Sequence, residues 1–238
     1  KLTDFQKSAA LVQAAGCARA LENFERADAL AAQIPLQSVA KTVRMENLLA
    51  QREWETLIEH FAAEKIRDWP FWQIGAGAFV RGRALHAAGQ GKAAAVDLLL
   101  ALEFTPASRE RLSIQGTLAD NYEKVLADDD KALLVYQEIV ESKTNKGSAD
   151  YFSAVQGAAR IRTRRREFED AFKILDQVNV KDLRGYWRGS MLLARGSTLS
   201  AAGRNKEALQ TYRAMQEDHH VETRHRSEAK SRIKALVP

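Results

Sequence analysis

Apolar side chains recur every three or four residues along nearly the whole chain, which is the spacing of amphipathic helices. The first such stretch runs from Asp4 to Glu22, with leucine and alanine on one face. Pro35, Pro70 and Pro106 then follow at intervals of 35 and 36 residues. They mark helix ends, because proline cannot continue a helix. The pattern therefore predicts an all-α chain of recurring helix pairs joined by short polar turns.

One stretch, residues 81–106, returns near the C-terminus after a shift of 114 residues. The matched positions are Arg81-Gly82 with Arg195-Gly196, Leu85 with Leu199, Ala87–Gly89 with Ala201–Gly203, Lys92 with Lys206, and Ala94 with Ala208. Small residues at Gly82 and Ala94 permit two helices to approach closely, and Leu98 fills the space beside them. Gly89 predicts a left-handed residue at the end of the first helix. Both copies therefore predict a helix, a turn and a second helix.

These residues resemble the tetratricopeptide repeat (TPR) family, in which each repeat of about 34 residues holds two antiparallel helices. The positions that fit the family best are Gly82, Leu85, Gly89, Ala94, Leu98, Ala101, Pro106, Gly196, Leu199, Gly203, Ala208 and Tyr212. The resemblance implies a right-handed α–α superhelix, a solenoid of antiparallel helix pairs. The repeat starts recur every 35 to 39 residues, slightly more than the family's usual length. Longer turns are the simple explanation, and a divergent repeat related to the Sel1-like kind is the alternative.

The resemblance further implies a single domain over residues 1–238, with about six helix pairs and a C-terminal capping helix. The predicted pairs span 1–35, 36–68, 69–105, 106–146, 147–181 and 182–220, and the cap spans 221–238. Only 13 glycines and 4 prolines occur, without a Ser/Gly-rich linker, which favours a continuous body. Ala229, Ile233 and Leu236 recur at helical spacing and are typical of a helix that covers the last repeat.

Composition and charge exclude several classes of protein. Hydrophobic residues make up 45% of the chain and charged residues 28%, which argues against disorder. No run of eighteen apolar residues occurs, so no membrane span is expected. Cys17 is the single cysteine and has no partner for an intrachain disulfide. The net charge of +5 permits acidic partners without establishing a nucleic-acid role.

The sequence contains no catalytic or cofactor motif: His-Glu-x-x-His, Gly-x-Ser-x-Gly, a Walker loop and a dinucleotide fingerprint are all absent. The acidic triplet at 128–130 lacks the spacing of a calcium loop and is interpreted as carboxylates in a first helical turn. His219, His220 and His225 form the histidine cluster of the sequence, and a metal site is disfavoured because neighbouring side chains on a helix diverge; the pair His219-His220 is interpreted as positive charge near a helix C-terminus. We therefore predict a non-enzymatic protein with no catalytic residues, cofactor or metal site.

In TPR arrays the first helices of successive repeats line a groove, so the resemblance implies that partner-binding residues lie there. Counting from the glycine of each repeat gives these groove candidates: Phe79, Arg83, His86, Asn121, Lys124, Gln156 and Arg160. The family's chaperone-tail receptors clamp a terminal carboxylate with lysine and asparagine at set positions. Phe79 and Thr117 stand at the lysine positions here, so the clamp is incomplete and a chaperone-tail receptor is disfavoured.

Arginines are concentrated in one segment. Five fall within seven residues: Arg160, Arg162, Arg164, Arg165 and Arg166. They lie at the predicted end of a helix, where positive charge offsets the dipole, and acidic residues at 167–170 are near enough to compensate them. A solvated, paired surface is therefore the favoured interpretation. The alternative is that Arg162, Arg164, Arg165 and Arg166 form an anionic docking site, because arginine forks bind carboxylate and phosphate.

Trp69-Pro70-Phe71-Trp72 is the densest aromatic cluster in the sequence. An aromatic residue that opens a first helix in this family packs on the preceding repeat. We therefore expect the cluster to lie in the core, and an anchor for a bound peptide is the alternative.

The first functional hypothesis is an interaction scaffold that holds a peptide or protein partner in its groove. The C-terminal pattern, from Ala208-Leu209 to Arg232-Ile233, is similar to repeats common in bacterial envelope proteins. An exported or periplasmic bacterial location is therefore favoured over a cytoplasmic one.

Two other hypotheses stay open. The chain could be a nucleic-acid-binding helical repeat that uses Arg160–Arg166, although no recognition pair repeats in each unit as base readers require. It could also be the regulatory or dimerisation part of a longer protein, which the start at Lys1 instead of methionine suggests. The sequence leaves the partner's identity and the oligomeric state open.

Overall fold

The computed structural model describes residues 2–62, 64–106, 108–142 and 145–237. They form thirteen α-helices: α1 Asp4–Ala20, α2 Phe24–Ala31, α3 Gln37–Ala50, α4 Trp54–His60, α5 Phe71–Ala87, α6 Gly91–Phe104, α7 Arg109–Asp120, α8 Asp129–Glu141, α9 Ala149–Arg164, α10 Phe168–Leu175, α11 Gly185–Ala201, α12 Asn205–Glu217 and α13 Thr223–Leu236. Short 3₁₀-helices span Ile66–Asp68 and Val180–Asp182, and a π-helix at Asn121–Val125 follows α7. No β-strand occurs in this described part of the chain, which confirms the predicted all-α class.

The chain divides into two compact units, an N-terminal unit of residues 1–128 and a C-terminal unit of residues 129–238. Within each unit, helices adjacent in sequence pack as antiparallel pairs, α1 with α2 and α5 with α6, then α9 with α10 and α11 with α12. The first helix of a pair also contacts the first helix of the next, α1 with α3 and α3 with α5, then α9 with α11 and α11 with α13. This is the arrangement of a helical repeat.

The turn inside the helix pairs has a recurring backbone conformation. The residues with positive φ at these turns are Glu22, Arg52, Gly89, Ala127, Arg166 and Gly203. The predicted left-handed residue at Gly89 is confirmed, with φ of 73°. The following amide, Gln90 N–H, donates to the Leu85 carbonyl at 2.8 Å, which satisfies one of the free carbonyls at the end of α5.

Small residues allow paired helices to pack closely. A side-chain carbon added at Gly82 would lie 3.0 Å from Leu98, and one added at Gly196 would overlap the Tyr212 ring. The predicted packing of Leu98 against Gly82 is therefore confirmed. Tyr212 fills the equivalent place in the second copy and is almost fully buried.

A buried ion pair ties three helices of the N-terminal unit together. Arg81 on α5 donates to both carboxylate oxygens of Asp97 on α6, at 2.6 and 2.9 Å. Its third nitrogen donates to the carbonyls of Phe61 and Glu64, just after α4, at 3.2 and 3.0 Å. The side chains of Arg81 and Asp97 are only 17% and 6% exposed. Four directed hydrogen bonds therefore fix α5 against α6 and against the segment that follows α4.

An aromatic row connects the beginnings of the first helices in the C-terminal unit. The Phe152 ring on α9 lies 5.4 Å from Trp187 on α11, and Trp187 lies 4.7 Å from Tyr186. Tyr186 in turn lies 5.2 Å from the imidazole of His225 on α13. Arg224 covers the Tyr186 ring at 4.4 Å. These contacts hold α13 against α11, where it packs with the apolar cluster around Tyr212.

His225 is only 7% exposed and lies directly against Gly189. Burial lowers the pKa of His225, and the charge of Arg224 lowers it further, while Glu222 opposes the shift. The unfolded imidazole binds a proton near pH 6.5, so the unfolded state binds more protons than the folded state below that pH. Stability is therefore fully present above about pH 6.5 and is lost as the pH falls.

We expect the free energy of unfolding of the C-terminal unit to fall more steeply between pH 7.5 and pH 5.5 in the native chain than in His225→Phe. Phenylalanine keeps the stacking on Tyr186 and removes the titrating group, so the background of carboxylate titration is the same. Urea unfolding followed by Trp187 fluorescence, with Trp54, Trp69 and Trp72 replaced by phenylalanine in both proteins, measures the difference. Equal losses of stability in the two proteins would contradict the role of His225.

No helix in the described ranges is both long enough and apolar enough to cross a bilayer.

Candidate partner-binding groove

A groove of about 450 Å³ lies between α9 and α11 in the C-terminal unit. Its lining residues are Gln156, Ala159, Arg160, Thr163 and Arg164 from α9, and Ser190, Ala194, Ser197, Thr198 and Ala201 from α11. They recur at intervals of three and four residues, so each helix presents one face to the groove. The opposite face of α9 carries buried apolar residues such as Val155 and Ile161, which hold the helix in place.

Small side chains make up half of the residues that line the groove. Ala159, Ser190, Ala194, Ser197 and Ala201 account for five of the ten lining residues. A helix with small residues on one face leaves space that a neighbouring backbone can approach closely. The groove is therefore open because of its composition, and a single large side chain would fill much of it.

Hydroxyl and amide groups bridge the two walls. The Gln156 amide donates to Ser190 Oγ at 2.5 Å, and the hydroxyls of Thr163 and Thr198 are 2.9 Å apart. Thr163 and Thr198 also lie within hydrogen-bonding distance of the carbonyls of Ala159 and Ala194, one turn earlier in their own helices. These bonds hold α9 and α11 in register along the groove.

Two arginines stand on the α9 side of the groove. Arg160 is exposed, and Arg164 donates to Asp129 Oδ1 at 2.5 Å. Asp129 begins α8, where its carboxylate also lies in the first helical turn. The acidic triplet that the sequence assigned to a helix start therefore also pairs with the arginine cluster.

The other members of the proposed anionic docking site lie outside the groove lining. Arg162 pairs with Glu167, and Arg165 donates to Asp130 at 2.8 Å. The hydrogen bond from Asp130 raises the pKa of Arg165. Arg166 is exposed at the turn after α9, with φ of 62°. Three of these four arginines are thus engaged with carboxylates, which agrees with the paired surface favoured on sequence grounds.

In the N-terminal unit, Phe79 and Arg83 lie together on α5. The guanidinium of Arg83 covers the Phe79 ring at 5.6 Å. Desolvation lowers the pKa of Arg83 below its usual value, and the charge of Glu46 on α3 opposes the shift. Arginine remains protonated at neutral pH, so this surface carries a positive charge.

The remaining candidates of the N-terminal unit have internal partners. Asn121 is 0% exposed, and its amide donates to the Gly91 carbonyl at 2.8 Å while its oxygen lies 3.2 Å from His86 Nδ1. Lys124 donates to Asp120 at 2.6 Å. Asn121 therefore stabilises the start of α6 from the interior and has no surface to offer a partner.

The aromatic cluster only partly follows the expectation of core packing. The Trp69 ring packs against Gly77, and its indole N–H donates to Glu64 at 3.2 Å. Phe71 and Trp72 are 76% and 44% exposed, and Trp72 meets only the edge of Phe5 among rings in the described residues, at 6.5 Å. The expectation was wrong for Phe71 and Trp72. In the second copy, Tyr186 contacts His225 on α13, the first helix of the pair position that follows. In the first copy the corresponding helix is α7, which begins with charged residues at 109–111 and offers no ring.

Counting along the sequence leads to Gln156 and Arg160 on α9 but not to the α11 wall of the groove. The sequence does contain an indication of this wall: the shift of 114 residues that relates the two copies aligns Ser197 with Arg83. Because Arg83 is a groove candidate in the first copy, its counterpart Ser197 in the second copy is expected to face the groove as well. Serine and alanine at these positions also resemble ordinary helix-packing residues, so their chemistry alone does not indicate a binding surface.

Paired helices with small residues at their crossings and a left-handed residue at their turns define a TPR-like helical repeat, as the sequence predicted. No protein-family model matches the sequence, and no curated protein sequence matches it either. The fold is similar to that of a Podospora anserina protein, described as a kinesin light chain with nearly identical TPR-like repeats, whose crystal structure is known. The TM-score is 0.54 over 97% of this chain and 95% of that chain, with 16% sequence identity.

At that identity the likeness concerns the fold alone. Folds of this kind commonly serve as protein-interaction scaffolds and are typically non-catalytic. Within the residues that the structure describes, no three His, Cys, Asp or Glu side chains come together as a metal site.

Proposed function

We infer that this chain is a non-enzymatic scaffold that binds a segment of a partner protein in the groove between α9 and α11. One observation carries the inference: first helices of two successive repeats enclose about 450 Å³ lined by small side chains and by the predicted groove residues Gln156 and Arg160. Ligand sites are concave and contain a few polar groups that orient the ligand. The groove meets both requirements.

The stacked pair of Phe79 and Arg83 on α5 is a second contact surface in this proposal. A ring covered by a guanidinium presents both an apolar face and a positive charge, which are common at protein interfaces. For the other two groove candidates, His86 and Lys124, the hydrogen bonds to Asn121 and Asp120 favour positioning roles.

Filling the groove tests the proposal. We expect Ala194→Trp to weaken binding of the partner about tenfold or more, because an indole would occupy space that the partner requires. The matched control is Gln210→Trp, which places the same side chain on an exposed position of α12. Affinity capture from an extract of the source organism, with bound proteins quantified by mass spectrometry, compares the two variants with the native chain.

Circular dichroism and thermal unfolding establish that both variants are folded. If Ala194→Trp captured the same partners as Gln210→Trp and the native chain, the groove would not be the binding site. Capture with and without nuclease separates the alternative of nucleic-acid binding, in which recovery collapses on nuclease treatment.

A further inference from the structure

We propose that the groove between α9 and α11 selects an extended peptide segment with one anionic side chain, a carboxylate or a phosphorylated hydroxyl, flanked by small residues. This rests on the proposed function and specifies the chemistry of the ligand. Three independent features support it: the charge of the unit, the placement of two arginines, and the size of the residues that line the groove.

Charge is distributed unequally along the chain. Residues 129–238 contain 21 Lys and Arg against 15 Asp and Glu, a net charge of +6, whereas residues 1–128 contain 15 against 16, a net charge of −1. The ten groove-lining residues include two arginines and no carboxylate. A concave site with one sign of charge attracts ligands of the opposite sign. The groove therefore favours an anionic ligand.

Arg160 and Arg164 are one helical turn apart on α9, so both side chains leave the same face of the helix. The bond from Arg164 to Asp129 fixes one guanidinium in place, and the side chain of Arg160, which also lines the groove, is exposed to solvent. Guanidinium groups bind carboxylate and phosphate oxygens through paired N–H donors. The anionic group of the ligand is thus placed beside α9.

The opposite wall selects the shape of the ligand. Ala194 and Ala201 on α11 offer no bulk, and Ser190 and Ser197 line the same wall. A peptide backbone can approach such a wall closely and exchange hydrogen bonds with the serine hydroxyls. A backbone that lies this close to α11 leaves no depth for a large side chain on its near side, so the ligand residues that flank the anionic one and face α11 are glycine, alanine or serine.

The lining also distinguishes a peptide from a nucleic acid. Proteins that bind single-stranded nucleic acid stack bases on aromatic side chains along a basic groove. The groove-lining residues include no aromatic ring. A nucleic acid in this groove would have only phosphate contacts and no aromatic side chain on which its bases could stack. The observations therefore favour the peptide.

The test uses the full chain and a fluorescein-labelled peptide, Gly-Ala-Ser-Ala-X-Ala-Ser-Ala-Gly, in which X is glutamate, phosphoserine, glutamine or lysine. Fluorescence anisotropy measures each affinity. We expect glutamate or phosphoserine to bind about tenfold tighter than glutamine or lysine, because charge-assisted hydrogen bonds are stronger than neutral ones. The glutamate and phosphoserine arms show which anionic group fits better.

Arg160→Glu is expected to remove the preference for an anionic X, whereas Arg213→Glu, the same charge change on an exposed position of α12, is expected to preserve it. Equal affinity for all four peptides, with binding still abolished by Ala194→Trp, would overturn this inference and leave the proposed function standing. If Ala194→Trp affected neither peptide binding nor partner capture, the proposed function itself would fail. Displacement of the glutamate peptide by a single-stranded oligonucleotide at lower concentration than by the unlabelled peptide would favour the nucleic-acid alternative instead.

Discussion

Asp97→Ala is expected to lower the free energy of unfolding of the N-terminal unit by about 3 kcal/mol, the largest effect of any single substitution considered for this chain. The substitution leaves the Arg81 guanidinium, which is 17% exposed, without the carboxylate that accepts two of its hydrogen bonds. An unpaired charge in that position costs far more than the pair contributes, since its desolvation is no longer offset. Urea unfolding followed by circular dichroism measures the loss.

Glu103→Ala is the matched control for Asp97→Ala. It removes a carboxylate from an exposed pair with Arg67, in which both side chains are more than half exposed. Such surface pairs contribute about 0–1 kcal/mol, so Glu103→Ala should change stability little. Replacing both members of the buried pair, as in Arg81→Met with Asp97→Leu, should restore part of the stability lost in Asp97→Ala. Similar losses for Asp97→Ala and Glu103→Ala would show that burial of the pair has no energetic importance.

Gly196→Ala is expected to destabilise the C-terminal unit by about 2 kcal/mol, although alanine is the better helix former. The added methyl group would overlap the Tyr212 ring, which is almost fully buried between α11 and α12 and cannot move aside. Overpacking of this kind forces shifts in side chains and backbone that outweigh the gain in helix propensity. Thermal or urea unfolding measures the net effect.

Two comparisons isolate the cause of the loss in Gly196→Ala. Gly16→Ala on α1, where a methyl group would meet only the tip of Arg19 at 3.9 Å, should instead stabilise the chain by about 0.5–1 kcal/mol. The effect of Gly196→Ala should also shrink in a Tyr212→Leu background, since leucine is the residue that faces Gly82 in the other copy. An undiminished effect in that background would place the strain elsewhere.

The turns explain why only two repeats were clear in the sequence. The left-handed conformation recurs at six turns, but only Gly89 and Gly203 use glycine for it. Glu22, Arg52 and Arg166 adopt the same conformation, which costs a side-chain-bearing residue about 1–2 kcal/mol. The hydrogen bonds of the turn compensate that cost, as in the bond of 2.9 Å from Asn23 N–H to the Ala18 carbonyl. Helix periodicity was therefore enough to predict the fold class, whereas the other turns carried no recognisable residue.

The candidate site was predictable to a lesser degree, because it depends on helix register. Counting from glycines leads to Gln156 and Arg160, which both line the pocket between α9 and α11, since α9 is regular throughout. The same counting leads to Asn121, which is buried at the point where α7 passes into the π-helix. There the Leu126 N–H donates to the Asn121 carbonyl five residues back, at 3.0 Å. A π-turn changes the direction of the side chains that follow, and no sequence pattern predicts it.

The aromatic row in the C-terminal unit also makes that unit optically distinguishable. Trp54, Trp69 and Trp72 all belong to residues 1–128, and Trp187 is the single tryptophan of residues 129–238. Its indole lies 5.4 Å from Phe152 and 4.7 Å from Tyr186, so its emission reports whether α9, α11 and α13 are assembled. A chain in which the first three tryptophans are phenylalanine would show the unfolding of the groove-bearing unit by itself, without any attached dye.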